Sequence, residues 1–455
     1  MDLVTMDLTT ADRAPTDRAG EVPGGWVAIN DGLVVGVGPA GTEPAATRTL
    51  RADGCVVTPG FVNAHHHIYQ NLTRSFAPAV RAALFDWLRA LYPYWARLDE
   101  EAVYLSTFVG LAELALGGCT TTSDHLYVHP AGGGDLLGAE IAAAREIGVR
   151  FHPTRGSMSV SEKDGGLPPD SVCEDEDTIL AACEAAVAAH HDRSVGAMVR
   201  IALAPCSPFS VSRRLMSATA ELADRLDVRL HTHLAEDLDE DSYCQEVYGC
   251  RPVELFEDVG WLSDRSWIAH CVHPNGPEIE RLGRAGVGVA HCPSSNLLLG
   301  AGLAPVAELL AAGAPVGLGC DGSASTDSAS LWLEARTAML LARYRSGAAS
   351  TGAREALRLA TLGGAACLGR QDELGVLRPG AVGDLVCWRL EGPQFAGALS
   401  DPVEALLRCG PVSAYHTVVA GKPVVEKGQL VDEAIEDRLK RHRAASARIQ
   451  RAGPG

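Results

Sequence analysis

Eight short apolar or β-branched segments recur along the middle of the chain, each running into polar residues and each followed by a longer stretch with helical spacing. In order they read TPGFVNAHHH (58–67), CTTTSDH (119–125), VRFHPTRG (149–156), VRIALAPCS (199–207), VRLHTHLAE (228–236), SWIAHCVHP (266–274), GVGVAHCPSSN (286–296) and PVGLGCDGSAS (315–325). Strand then helix, eight times over, predicts an α/β chain closed as a (β/α)8 TIM-type barrel, with its chemistry at the C-terminal ends of the strands. The intervening runs look amphipathic, as from Asp99 to Leu116, where Asp99 reads as an N-cap and Gly117-Gly118 as a stop.

The flanks read differently. Residues 26–57 and 374–428 alternate in hydropathy and carry turn glycines, so both read as β segments outside the barrel, meeting in one small β-sandwich. The expected division is 1–58 with 370–432 for the sandwich, 59–369 for the catalytic barrel, and 433–455 for a C-terminal surface helix and tail. The first residues look like the end of the first sandwich strand, which carries the expectation of a misplaced start.

Composition narrows the class. Of 455 residues, 47% are hydrophobic, only 5% are aromatic and 48 are glycine, which suits helices packed closely on a sheet. The net charge of −18, with no cluster of Lys and Arg, argues against a nucleic-acid partner. Thirteen cysteines, with no C-x-x-C pair, suggest neither a disulfide framework nor a structural zinc knuckle, and fit a reducing cytoplasm. No run reaches the roughly 18 apolar residues of a membrane span.

Histidines collect at the predicted strand ends: ten of the fifteen, His65, His66, His67, His125, His152, His231, His233, His270, His273 and His291. In an extended strand alternate residues share a face, so His65 and His67 can converge on one ion while His66 points away or toward a substrate. Taken alone such a pair is as readily a pair of satisfied polar residues. A second pair, His231 and His233, shares a face at another strand end, and Glu236 follows just beyond it, within reach of a water on the same ion. Asp321, after the apolar eighth strand, is an N-cap in isolation and a last metal ligand beside these histidines. His270 stands where it can polarise a substrate group or hold a hydroxide.

The set PGFVNAHHH, HTHLAE, AHCVH, HCPSSN and GCDGSAS, in this order, resembles the amidohydrolase superfamily in its cytosine/guanine deaminase and s-triazine hydrolase branch. The resemblance covers nearly the whole chain. It implies a (β/α)8 barrel with a sandwich from both termini. It also implies one divalent metal, zinc by expectation with iron as the alternative, held by His65, His67, His233 and Asp321, with Glu236 as proton shuttle and His270 as activator. LAPCS has no lysine where binuclear relatives place a bridging carboxylated one, which favours one metal. Within the branch, HHHIYQNLTR, FDWLRALYP, RGSMSVSEKDGGLPPDSV and LAPCSPFSVS resemble bacterial 8-oxoguanine deaminases, implying hydrolysis of an exocyclic ring amine to give urate and ammonia. One departure stands beside Asp321: Thr326 occupies a place where asparagine is expected.

Gln70, Arg74, Arg155, Cys206 and His270 are the expected substrate contacts, each arginine being equally readable as a surface salt bridge. Trp87, Tyr92 and Trp95 read as a lid or core stripe, and His125 and His152 as satisfied barrel residues. His416 and His442 fall outside the barrel. The partners expected are a small heterocyclic substrate and further copies of the chain, as a dimer or tetramer, without nucleic acid or membrane. Two rivals remain: a triazine-type hydrolase using the same metal site, and a non-enzymatic metal-binding barrel.

Overall fold

The computed structural model describes residues 2–6 and 20–451. Residues 7–19 of the expected sandwich, residue 1 at the questioned start and 452–455 of the tail lie outside the described residues.

Eight parallel strands close into a barrel. They are β1 (Phe61–Asn63), β2 (Cys119–Leu126), β3 (Arg150–Ser157), β4 (Ala202–Pro205), β5 (Leu230–Leu234), β6 (Ser266–His270), β7 (Gly288–His291) and β8 (Val316–Leu318). Each coincides with one of the eight segments read from the sequence, β2 and β3 running one residue past theirs. β1 is short, and the Asn63 side chain at its end closes the ring: its Nδ2–H donates to the Thr122 hydroxyl (3.0 Å) and its Oδ1 accepts from Cys320 N–H (2.9 Å). Closure puts β1 beside β8, so the segments after Asn63 and after Leu318 leave the barrel side by side.

The two flanks meet in one seven-stranded sheet. Asp2–Val4, Glu21–Pro23 and Cys55–Pro59 come from the N-terminal side, and Leu385–Arg389, His416–Val419, Lys422–Glu426 and Gln429–Leu430 from the C-terminal side. A hairpin, Trp26–Asn30 with Leu33–Gly38, covers it over an apolar layer that includes Leu3, Val34, Val57 and Leu385. The sheet is bolted to the barrel by a buried ion pair, Arg150 with Asp384 at 3.0 Å, and by Trp388, whose ring packs tilted against Phe61 at 5.2 Å.

Two readings are corrected. Within 374–428, Pro402–Arg408 is a helix, capped by Asp401 accepting from Glu404 N–H, with Val403, Leu406 and Leu407 buried at helical spacing. The helix Glu100–Leu116 begins and ends as expected, with Asp99 accepting from Ala102 N–H, but it is not amphipathic. Its buried residues go around the helix because the C-terminal helix, Ile435–Arg451, covers its outer side. That last helix also reaches the loop after β1: His442 Nε2 meets Asn71 Oδ1 (2.7 Å), and Ser446 and Gln450 both donate to the Leu72 carbonyl. Among the described residues no helix is long and apolar enough to cross a membrane, and all thirteen cysteines are free.

Candidate active site

His65 and His67 follow β1 in the coil beyond its last residue, and the backbone there is stitched to both neighbours. The His65 carbonyl accepts from Asp321 N–H (3.1 Å) and the His66 carbonyl from His125 N–H (2.7 Å). Two glycines make room. A Cβ at Gly319 would stand 2.7 Å from His65 Cβ, and one at Gly322 would fall 1.8 Å from Gln70 Oε1. Three of the strand ends leave in left-handed backbone that side chains ordinarily avoid: Ala235 (φ 54°), His270 (φ 72°) and Asp321 (φ 58°). Such conformations persist where surrounding contacts over-determine them, and they cluster at functional sites. At Ala235 the contact is visible: the Glu240 carboxylate accepts from the N–H groups of both Ala235 and Glu236, each at 2.9 Å.

The donors of the cluster are set by hydrogen bonds around it. His67 Nδ1–H donates to the His125 carbonyl (2.8 Å) and His233 Nδ1–H to the Cys206 carbonyl (2.6 Å). His231 Nδ1–H donates to the Trp267 carbonyl (2.9 Å), so its Nε2 accepts, and His65 Nδ1–H is the donor to it at 2.8 Å. A carbonyl can only accept, so each of the three rings nearest the centre has its Nε2 lone pair facing inward. His67 Nε2 and His233 Nε2 lie 3.0 Å apart, lone pair to lone pair, and His65 Nε2 is buried without a partner. Asp321 Oδ1 sits 3.3 Å from His65 Nε2 and 3.4 Å from His67 Nε2. Three inward imidazole nitrogens and a carboxylate, all buried, repel one another unless a cation lies among them, so this donor set fits a divalent metal. Burial first, and mutual repulsion second, hold His233 well below its ordinary pKa, as an unprotonated ligand needs.

Beside the donor set stand two further groups. His270, oriented by Nδ1–H to Asn296 Oδ1 (2.9 Å), aims Nε2 at Glu236 Oε2 (3.5 Å) and Asp321 Oδ2 (3.9 Å). Burial, reinforced by Asp321, Glu240 and Asp237, pushes the Glu236 carboxyl well above its usual range. Ser325 donates to Asp321 Oδ2 (3.2 Å). Above them opens a cavity walled by Leu84, Trp87, Leu88, Phe209 and Leu299, with Gln70, Tyr92, Tyr127 and Cys206 as its polar points.

The structure therefore gathers His65, His67, His233, His270, Glu236, Asp321, Gln70 and Cys206 into one site. It does not bring in the two arginines. Arg74 pairs with Glu113 and touches Ser323, and Arg155 pairs with Glu174 at 2.7 Å on the wall of a separate side cavity. Both take the salt-bridge alternative, because each guanidinium has a carboxylate within reach. Trp87 and Tyr92 do line the cavity, while Trp95 stays in the core with its indole N–H on Thr73. His66 turns back to accept from His67 N–H, and the Thr326 hydroxyl bonds the backbone of Gly322 and Ser328. His125 and His152 are not fully satisfied: Nδ1 of each is buried without a partner. The His125 ring instead stacks on His233 at 4.9 Å, with ligand atoms of His65, His67, His125 and His233 all within 4.8 Å of one another. Sequence reasoning paired His231 with His233 but gave it no role of its own, and left out Asn296, Glu240, Ser325 and Tyr127. HCPSSN and HTH were visible as motifs, but nothing in them says which side chain steadies another.

Residues 56–424 match the amidohydrolase family. The chain is 48% identical, over 93% of its length and 95% of the relative's, to 8-oxoguanine deaminase from Pseudomonas aeruginosa PAO1. It is 36% identical, over 91% and 89%, to hydroxydechloroatrazine ethylaminohydrolase from Pseudomonas sp. strain ADP. Among solved structures it resembles atrazine chlorohydrolase from Arthrobacter aurescens TC1 complexed with zinc, at 34% identity and a TM-score of 0.91, covering 98% of each chain.

Proposed function

The chain belongs to the amidohydrolase family and is a hydrolase of C–N bonds, and from that premise we propose that it deaminates an aminopurine-like ring, with 8-oxoguanine converted to urate and ammonia. The observation that carries the reading is the pairing of the buried Glu236 carboxyl with His270, 3.5 Å apart, at the edge of the four-donor metal set. The substrate follows from the 48% identity to an 8-oxoguanine deaminase.

His65, His67, His233 and Asp321 are the residues that would hold the metal, and a bound divalent ion would supply Lewis acidity that lowers the pKa of water. Three imidazoles and a carboxylate suit zinc, and the similar chlorohydrolase is complexed with zinc. Glu236 carries a proton to the departing nitrogen, so that ammonia leaves rather than the far more basic amide ion. Asp321 and His270, both fixed by neighbours, orient the attacking group against the amine-bearing carbon. The flat apolar wall of Trp87, Leu84 and Leu88 receives the ring face, and Gln70, whose Oε1 has no hydrogen-bond partner, reads its amide edge.

An ammonia-release assay over 8-oxoguanine, guanine, isoxanthopterin, cytosine and s-triazines, on protein of measured zinc and iron content, tests this. The expected order has 8-oxoguanine first with zinc bound. Preferred release of chloride or alkylamine from a triazine would instead establish the second reading, which the 36% identity to an ethylaminohydrolase favours. The chain assembles as a dimer or tetramer in the cytoplasm. The exposed Leu340 and Tyr344, one turn apart on the helix Leu331–Ser346, support assembly, and the free cysteines support the compartment. Light scattering behind size exclusion reads the oligomer directly.

A further inference from the structure

The N-terminal end of the barrel, away from the metal donors, holds a second cavity of about 350 Å³. Its lining is cationic in a chain of net charge −18: Arg193 and Arg200 before β4, Arg229 before β5 and Arg265 before β6, with His191 and His152. Two carboxylates face it, Asp227 and Asp264.

Three of the arginines are committed. Arg265 pairs with Asp224 (3.0 Å) and Asp227 (3.1 Å), Arg193 with Asp227 (3.6 Å), and Arg200 with Glu373 (3.0 Å). Arg229 is different. Among the described residues it has no ion pair and no hydrogen bond, its Nε is buried without a partner, and its guanidinium lies over the Trp267 ring at 5.8 Å. Burial pushes it down to about 10, which leaves it charged at neutral pH. His152, only 2% exposed, lines the same cavity with Nδ1 unpartnered, and Arg200 Nε is likewise buried without a partner. Asp264 lies exposed at the mouth, where water screens it. Arg229 is partly buried, with Nε fully enclosed and only the exposed Asp264 acting on it from a distance, so its guanidinium lacks a direct counter-charge and the open volume beside it is where one fits.

We propose that this cavity binds a phosphate group, held by Arg229 with His152 and Arg200 beside it. Guanidinium donors match tetrahedral oxyanions, and the volume admits either inorganic phosphate or the end of a small phosphate monoester. The site is separate from the proposed chemistry, since it lies at the opposite ends of β4, β5 and β6 from the metal donors.

The test is melting temperature and calorimetric titration of the metal-loaded chain with inorganic phosphate and, separately, glycerol 3-phosphate, against sodium chloride at matched ionic strength. A saturable rise in melting temperature with either phosphate is expected, because a ligand that binds only the folded chain stabilises it by mass action. The arm that binds more tightly identifies the source. Arg229→Met should raise the dissociation constant by about tenfold or more, the effect of losing a charge-assisted bond. His152→Gln should weaken binding less, and both variants should keep turnover. A shift equal to that of chloride overturns the proposal. So does phosphate binding that survives Arg229→Met, which would place the anion at the metal instead.

Discussion

Which imidazole nitrogen carries a proton decides what the rings of His65, His67 and His233 can hold, and that choice is made by groups around the centre: backbone carbonyls for His67 and His233, a side chain for His65. His231 is the clearest, since it alone turns His65 Nε2 inward. His231→Phe keeps the ring and removes both bonds; zinc affinity should fall about 10- to 100-fold, read by competition with a chromophoric chelator. Glu236→Gln should bind zinc normally while turnover drops on the order of 100- to 10,000-fold, and near-normal turnover would reject the proton-carrier role. Glu334 offers a pH test. Burial lifts its carboxyl from 4.5 to about 8, against the opposing hydrogen bonds of Ser294. The folded chain keeps this proton where the unfolded chain has released it, so its stabilising contribution is whole below pH 4.5 and is lost as pH rises to about 8. Glu334→Gln should therefore flatten melting temperature against pH across that window. The side chains that meet at the centre were legible because they emerge at strand ends. Asn296 and Glu240 were not, because a residue that acts through another leaves no spacing signature of its own, and the spacing that marked His231 did not tell its supporting role from a ligand's.

The short 3-10 helix Ile68–Thr73 shows how an element far along the chain can govern the site. It carries Gln70, and its outer side is fastened by His442, Ser446 and Gln450 of the C-terminal helix. The paired change Ser446→Ala with Gln450→Ala should cost about 1–3 kcal/mol, the loss of two net hydrogen bonds, and should raise KM more than it lowers kcat if Gln70 reads the substrate edge. Unchanged kinetics with lowered stability would separate Ile68–Thr73 from recognition. The C-terminal helix looked bland in the sequence because its polar residues spread along a surface pattern, and only the fold reveals that Asn71 and Leu72 lie beneath it. The eight strand ends were legible for the opposite reason: apolar run and polar exit adjoin in the chain. The helix Pro402–Arg408 escaped because a seven-residue element offers too few turns to show its period against alternating neighbours.

Across the whole molecule, the metal donors span β1, β5 and β8, so occupancy should be felt as stability of the barrel rather than of one loop. Stripping the metal with a chelator should lower the melting temperature in a concentration-dependent way; a thousandfold excess of metal over its dissociation constant corresponds to about 4 kcal/mol. An unchanged melting temperature would argue that the lone-pair cluster relaxes without an ion. The sheet that braces the barrel has a different consequence, for synthesis. Cys55–Pro59 pairs with Asp2–Val4 on one side, yet its other neighbour, Leu385–Arg389, lies 326 positions further along than Pro59. At about 5–20 residues per second a ribosome takes roughly 15–65 s to deliver it. Throughout that interval the nascent chain carries an open strand edge next to the first barrel strand, so aggregation during translation, more than equilibrium stability, is set by how that edge is kept covered.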